Sequence, residues 1–186
     1  MSIGSVFAII DQACHRLSED VIPVVNTHKN RGVGYQLESI LRDHITAIEP
    51  SATSPESTKS TYDVRIGRYM IDIKSKYVGA TFHMPNLVSC EKLVKDPSIA
   101  SHMILVFIAY DNCKDSVCIQ SCESVLLSRL SWEGLTIGNL GLGQIQLKRI
   151  MDPIEDEYDW FNEFLKHLRV FYRKQISKFG AKLALI

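Results

Sequence analysis

Asp63, Asp72 and Lys74 are the residues of this chain whose types and spacing best suit chemistry. Residues two apart in a strand share a face, so Asp72 and Lys74 emerge together if their segment is extended. Asp63 lies on a preceding stretch in which Tyr62, Val64 and Ile66 alternate with Asp63 and Arg65, and Gly67-Arg68 stands where a tight two-residue turn belongs. A register that sets Asp63 across from the other two brings two carboxylates and one ammonium to a point. That set suits a hard divalent cation with a cationic group beside it. Among the 21 acidic residues only Asp72 is followed two places later by Lys, and composition alone produces roughly one or two such coincidences, so the tripeptide by itself says little. Its setting says more: Asp72 lies between Ile71 and Ile73, in a strand apolar enough to be central, where a charge needs a reason.

The elements that must position these groups follow from periodicity. Val6, Ile9, Ile10, Ala13 and Leu17 have helical spacing, and Leu37, Ile40, Leu41 and Ile45 make the stripe of a second helix beginning near Gly34. Glu38 lies beside that stripe, either as a solvated neighbour of the core or facing a cleft at the helix edge. The segment from Glu49 to Thr61, rich in Ser, Thr and Pro, reads as a mobile surface loop. Beyond the hairpin, Pro85 stands at an expected helix start, with Leu87, Val88, Leu93 and Val94 at helical intervals. Lys76, Tyr77, His83 and Asn86 are polar residues near the candidate site in sequence. The run from His102 to Tyr110 reads as a buried strand, residues 116–127 as another, and Ile145, Leu147 and Ile150 as a strand-like tail to a glycine-rich segment, residues 134–143. No GxGxxG or GKS/GKT pattern accompanies those glycines, so a nucleotide loop is not expected.

The longest helix is C-terminal. Trp160, Phe161, Phe164, Leu165, Leu168, Phe171, Tyr172, Ile176 and Phe179 form a broad apolar face. Acids run from Asp152 to Glu163 and only bases follow: Lys166, Arg169, Arg173, Lys174, Lys178 and Lys182. Complementarity to the helix macrodipole accounts for this order; a basic end facing phosphates or an acidic partner surface is the other reading.

With 186 residues, 46% of them hydrophobic and 23% charged, the chain is expected to be one domain, residues 1–186, with one core and no separate DNA-recognition domain. The N-terminal stretch lacks the features of a signal peptide and no run approaches a membrane span, so a cytoplasmic protein without a membrane partner is expected. Cys14, Cys90, Cys113, Cys118 and Cys122 contain no CxxC pair, which points to reduced thiols rather than a zinc site or a disulfide framework. A formal net charge of zero argues against strong non-specific nucleic-acid binding by the chain alone.

The order of helix with Glu38, loop, strand with Asp63, turn, strand with Asp72-Ile73-Lys74, helix and apolar strand resembles the PD-(D/E)xK nuclease superfamily. The stretches Ile71–Leu93 and Gly143–Leu147 and the aromatic C-terminal helix are similar to EcoRV-like restriction endonucleases. Tyr62 stands where many members have Pro. The resemblance implies an α/β fold with a central mixed sheet flanked by helices, and a Mg²⁺-dependent endonuclease acting on double-stranded DNA with one or two ions. In that scheme Asp63 and Asp72 bind the metal, Glu38 completes the acidic cluster directly or through water, and Lys74 orients or deprotonates the attacking water and offsets negative charge. Lys76, Tyr77, His83 and Asn86 are the accompanying DNA-contact candidates. The chain most resembles the small cleavage subunits of bacterial heterodimeric type IIS restriction endonucleases, which implies a larger partner that recognises the site and nicks the other strand. A self-sufficient homodimeric restriction or repair endonuclease and a non-catalytic interaction subunit are the alternatives. Glu38, Asp63, Asp72 and Lys74 occurring together count against the last.

Overall fold

Ser2 opens the first helix, its hydroxyl accepting from the Ser5 N–H at 3.2 Å, as an N-cap serine does. The computed structural model describes all residues except 25–30, 56–59, 80–84, 115, 150–151, 155–158 and 184–186. In chain order the elements are α1 (Ile3–Glu19), β1 (Ile22–Pro23), α2 (Arg31–Ile48), β2 (Val64–Ile66), β3 (Tyr69–Tyr77), β4 (Asn86–Ser89), α3 (Cys90–Lys95), α4 (Ile99–His102), β5 (Met103–Cys113) and β6 (Ser116–Leu126). A 3-10 turn (Leu127–Arg129), β7 (Leu135–Gly138), β8 (Gln144–Leu147) and α5 (Trp160–Leu183) follow.

The chain divides into two compact units. The first, Met1–His83 with His102–Leu127, holds a five-stranded sheet in the order β1-β6-β5-β3-β2. Only β3 and β5 run parallel; the other neighbours are antiparallel, which makes the sheet mixed. Ile71, Ile73, Ile104, Val106 and Ile108 share one core with Val6, Ile10 and Leu17 of α1 and with Leu37, Leu41 and Ile45 of α2. Those positions alternate along each strand, as a pleat with one face on helices requires. The parallel register pairs Ile71 with Ile104 and Ile73 with Val106 on that face, and Asp72 with Leu105 and Lys74 with Phe107 between them. The pleat therefore turns Asp72 and Lys74 to the face opposite the helical core.

Two cysteine pairs in this unit are disulfide-bonded. Cys14 of α1 meets Cys122 of β6 with Cα atoms 5.8 Å apart, and Cys113 meets Cys118 across the β5–β6 hairpin at 5.9 Å, separations that a disulfide spans. The expectation of reduced thiols is corrected for four of the five cysteines. The first pair is separated by 108 positions in sequence and becomes adjacent only when α1 lies on the sheet. Cys90 alone is free and buried, and burial pushes its thiol up to about 12.

The second unit, Met84–Ser101 with Ser128–Ile186, carries the antiparallel sheet β4-β8-β7 and α5. Its buried indoles both find acceptors: Trp132 Nε1–H donates to the Trp160 carbonyl at 3.3 Å, and Trp160 Nε1–H to the Leu130 carbonyl at 3.0 Å. Phe164 stacks beside them.

Two expectations change here. Leu87 and Val88 lie in β4 rather than in a helix opened by Pro85, because Ser89 caps α3 through the Lys92 N–H and the helix starts only at Cys90. The segment after Glu49 is not wholly a mobile loop either. Thr53 exchanges two backbone hydrogen bonds with Arg65, extending the edge of the sheet beyond β2.

Candidate active site

The hairpin sets the register on which the site depends. Gly67, at φ +57, occupies the first position of the two-residue turn, a conformation that a Cβ disfavours. Val64 then pairs with Ile71, Arg65 with Met70 and Ile66 with Tyr69. Asp63 precedes the first paired residue, Val64, and is held beside β3 by hydrogen bonds to the residues on either side of Asp72. Asp63 stays attached to β3 in two ways: its N–H donates to the Ile71 carbonyl at 2.8 Å, and its Oδ2 accepts from the Ile73 N–H at 2.7 Å. The carboxylate thus satisfies a strand N–H at the point where β2 has ended, which fixes the side chain in place.

Asp72, 4% exposed, is the only polar or charged side chain that is buried among the described residues. Its Oδ1 accepts from Lys74 Nζ at 2.7 Å, whereas its Oδ2 is buried with no hydrogen-bond partner among them. Burial is the largest influence on this carboxyl, with the Asp63 and Glu38 charges adding to it; against the opposing pull of Lys74 they push it up to about 7. Burial works against the Lys74 ammonium too, but the three surrounding carboxylates outweigh it and hold Lys74 above its ordinary value.

Glu38 of α2 contacts Ser75, next to Lys74 in β3, and its charge is felt by both Asp72 and Lys74. Its Oε1 accepts from Ser75 Oγ at 2.9 Å, and burial raises its pKa against the opposing effects of Ser75 and Lys74. Gly34, one helical turn earlier on the same face, makes room for that contact: a Cβ there would stand 2.7 Å from Ser75 Oγ. Spacing along the chain does not single out Ser75, and the one signal for its contact with Glu38 is Gly34, four residues before the glutamate. Tyr110, opposite Tyr77 in the register, is not singled out by spacing either; burial raises its phenol, as does the Glu38 charge.

The structure brings together Asp63, Asp72, Lys74 and Glu38 within electrostatic reach of one another. Among the described residues no group of three His, Cys, Asp or Glu side chains is gathered tightly enough to hold an ion by itself. Glu38 is engaged with Ser75, and Asp63 with the Ile73 N–H. The donor set nevertheless suits a hard cation. A buried carboxylate oxygen without a partner, beside a second carboxylate, is chemistry that Mg²⁺ satisfies, with water completing its shell. Of the DNA-contact candidates, Lys76 is exposed and Tyr77 half-buried at the end of β3, where Tyr77 packs on Tyr110 with ring centroids 5.9 Å apart. Asn86 belongs to the second unit, where its Oδ1 accepts from Gln146 Nε2 at 2.8 Å. His83 lies outside the described residues.

The mixed sheet with its helices defines a restriction-endonuclease-like fold. No protein-family model matches the chain, and no curated protein matches it in sequence. Among solved structures it is similar to the NlaIV restriction endonuclease, with a TM-score of 0.63 at 10% identity over 90% of this chain and 79% of that one. No described helix is long and apolar enough to cross a membrane.

Proposed function

We propose that the chain is a Mg²⁺-dependent endonuclease that hydrolyses phosphodiester bonds in double-stranded DNA. One observation carries the reading: the partnerless buried Oδ2 of Asp72, with Lys74 on its other oxygen and Asp63 bonded to Ile71 and Ile73 on either side of it. The likeness to a restriction endonuclease supports the fold on which it rests.

Asp63 and Asp72 would hold the ion, and Glu38 would act through a bound water from its position on Ser75. When bound, Mg²⁺ supplies a Lewis acid for the phosphate and a water of lowered pKa. Lys74 does the rest of the electrostatic work. The neighbouring carboxylates keep it protonated, so it donates hydrogen bonds and offsets charge that grows on the phosphate rather than accepting a proton. Asp63, tied to the Ile73 N–H, and Asp72, fixed by Lys74, keep their carboxylates in place without rotating first. Lys76 and Tyr77 continue from β3 beyond the site and are the candidates in the first unit for contact with the DNA backbone.

One such site cuts one strand. In this reading the chain is the cleavage subunit of a restriction enzyme, paired with a larger subunit that recognises the target and nicks the opposite strand, and its zero net charge supports dependence on that partner. The test is plasmid cleavage with Mg²⁺ and with Ca²⁺, by the chain alone and with its candidate partner, beside Lys74→Ala. Partner-dependent cutting that Lys74→Ala abolishes is expected. Cutting of both strands by the chain alone would instead establish a self-sufficient homodimer, and an unimpaired Lys74→Ala would overturn the site.

A further inference from the structure

The C-terminal half of α5 has an apolar seam that its own unit leaves uncovered. The buried residues of this helix, Trp160, Phe164 and Leu168, lie in its first half. Beyond them come Tyr172, Ile176, Phe179 and Leu183, spaced four, three and four residues apart, the interval that keeps residues on one stripe of a helix and makes a coiled-coil seam. Ile176 is 71% exposed, Phe179 60% and Leu183 71%. The turn between β7 and β8 extends this surface. Tyr172 Oη donates to the Leu142 carbonyl at 2.7 Å and Gln175 Nε2 to Asn139 Oδ1 at 2.6 Å, which fixes the exposed Leu140 and Leu142 beside the helix.

Charge frames the seam. At 3.6 residues per turn Arg169 and Arg173 flank it on one side, and Lys178 and Lys182 on the other. All four are exposed, and none is paired with a carboxylate among the described residues. The geometry points to a docking surface for an amphipathic helix of another protein that has an apolar seam and acidic flanks. Three other occupants fit less well. A second copy of this helix would set bases against bases. Nucleic acid would neutralise the flanks but leave Ile176, Phe179 and Leu183 in water. A membrane surface favours a broad apolar face, whereas beyond Leu168 the exposed large apolar side chains of α5 keep to the single stripe of Tyr172, Ile176, Phe179 and Leu183, apart from Val170. The acidic helix alone satisfies both the seam and its flanks, since e- and g-type charges of opposite sign select partners in helix pairs. The inference stands apart from the nuclease reading, for it uses no residue of that site.

The probe is a synthetic heptad peptide with Ile and Leu at its seam positions and Glu at the flanking ones, titrated by fluorescence anisotropy against the full chain. A peptide with Lys in place of Glu serves as control. The Glu peptide should bind at least about tenfold more tightly than the Lys peptide. Ile176→Asp with Phe179→Asp should abolish that binding without changing the circular dichroism, because both side chains are exposed. Arg173→Glu with Lys182→Glu should reverse the preference, which mere stickiness of an apolar stripe would not do. Equal binding of the two peptides, or binding of neither, overturns the proposal. So does self-association lost in Ile176→Asp, which assigns the seam to a second copy, and so does uptake of the chain by phosphatidylserine vesicles in place of peptide preference. Cleavage activity plays no part in the readout, so failure here leaves the active-site reading untouched, and the reverse holds as well.

Discussion

Lys74 Nζ lies 2.7 Å from Asp72 Oδ1, while the other oxygen of the same carboxylate is buried with no partner among the described residues. The pair is thus half complete, with one oxygen neutralised by an ammonium and the other suited to a cation. Replacing Lys74 with Ala should reduce strand cleavage by roughly 10²–10³-fold, the range for loss of one charge-stabilising donor. Binding of Mn²⁺ followed by calorimetry should persist, because the substitution frees Asp72 Oδ1. Loss of both together would mean that Lys74 builds the metal site rather than serving the reaction.

Burial raises Asp72 to about 7, and the sign of its effect on stability follows. Between its ordinary range and pH 7 the folded chain binds a proton that the unfolded chain releases, so this group's contribution to stability falls as pH rises through that window. Asp72→Asn should therefore gain stability relative to wild type at pH 8 compared with pH 5, where Asp72 is already neutral. Thermal melts of both proteins at the two pH values test this. A difference independent of pH would contradict the raised pKa.

The same burial predicts how a metal acts on stability. A divalent ion must displace the proton from Asp72, so the rise in melting temperature produced by Ca²⁺ should be small at pH 6 and larger at pH 8. In Asp72→Asn the rise should shrink at both pH values. An equal rise in mutant and wild type would place the ion elsewhere.

Gly34 and Ser75 form a testable pair. Removing the Ser75 hydroxyl should lower stability by roughly 1–3 kcal/mol, since Glu38 loses a hydrogen bond in a half-buried setting. Gly34→Ala places a Cβ 2.7 Å from that hydroxyl in wild type, but its next neighbour, Ser75 Cβ, is at an ordinary 3.9 Å. In the Ser75→Ala background Gly34→Ala should therefore be stabilising, by up to about 1 kcal/mol from helix propensity. In wild type it should be less favourable. Additive effects in a double-mutant cycle by urea denaturation would show that the two positions do not meet.

The Cys14–Cys122 bond closes a loop of 108 positions, whereas Cys113–Cys118 closes one of five. Cys14→Ser should lower stability by roughly 2–4 kcal/mol without reductant and hardly at all with it, and Cys113→Ser should do less, because a long loop restricts the unfolded chain more. Thiol titration of the denatured, unreduced protein should count Cys90 alone. Five reactive thiols in that sample would contradict both pairings.

The sequence by itself determined the helices with their apolar stripes, the Gly67-Arg68 turn, and the shared strand face of Asp72 and Lys74. Each follows from spacing along the chain, because helical and extended periods are local properties of the backbone. Only the tertiary structure decided the rest. That Asp63 bonds Ile71 and Ile73 on either side of Asp72 depended on how the hairpin closes, and the burial that raises Asp72 exists only in the folded chain. Leu87 and Val88 took strand geometry from pairing with β8 that their helix-like spacing could not disclose. Ser75 against Glu38 and Cys14 against Cys122 join residues 37 and 108 positions apart. Contacts at such separations are set by how the sheet and helices pack, and a one-dimensional pattern has no term for them.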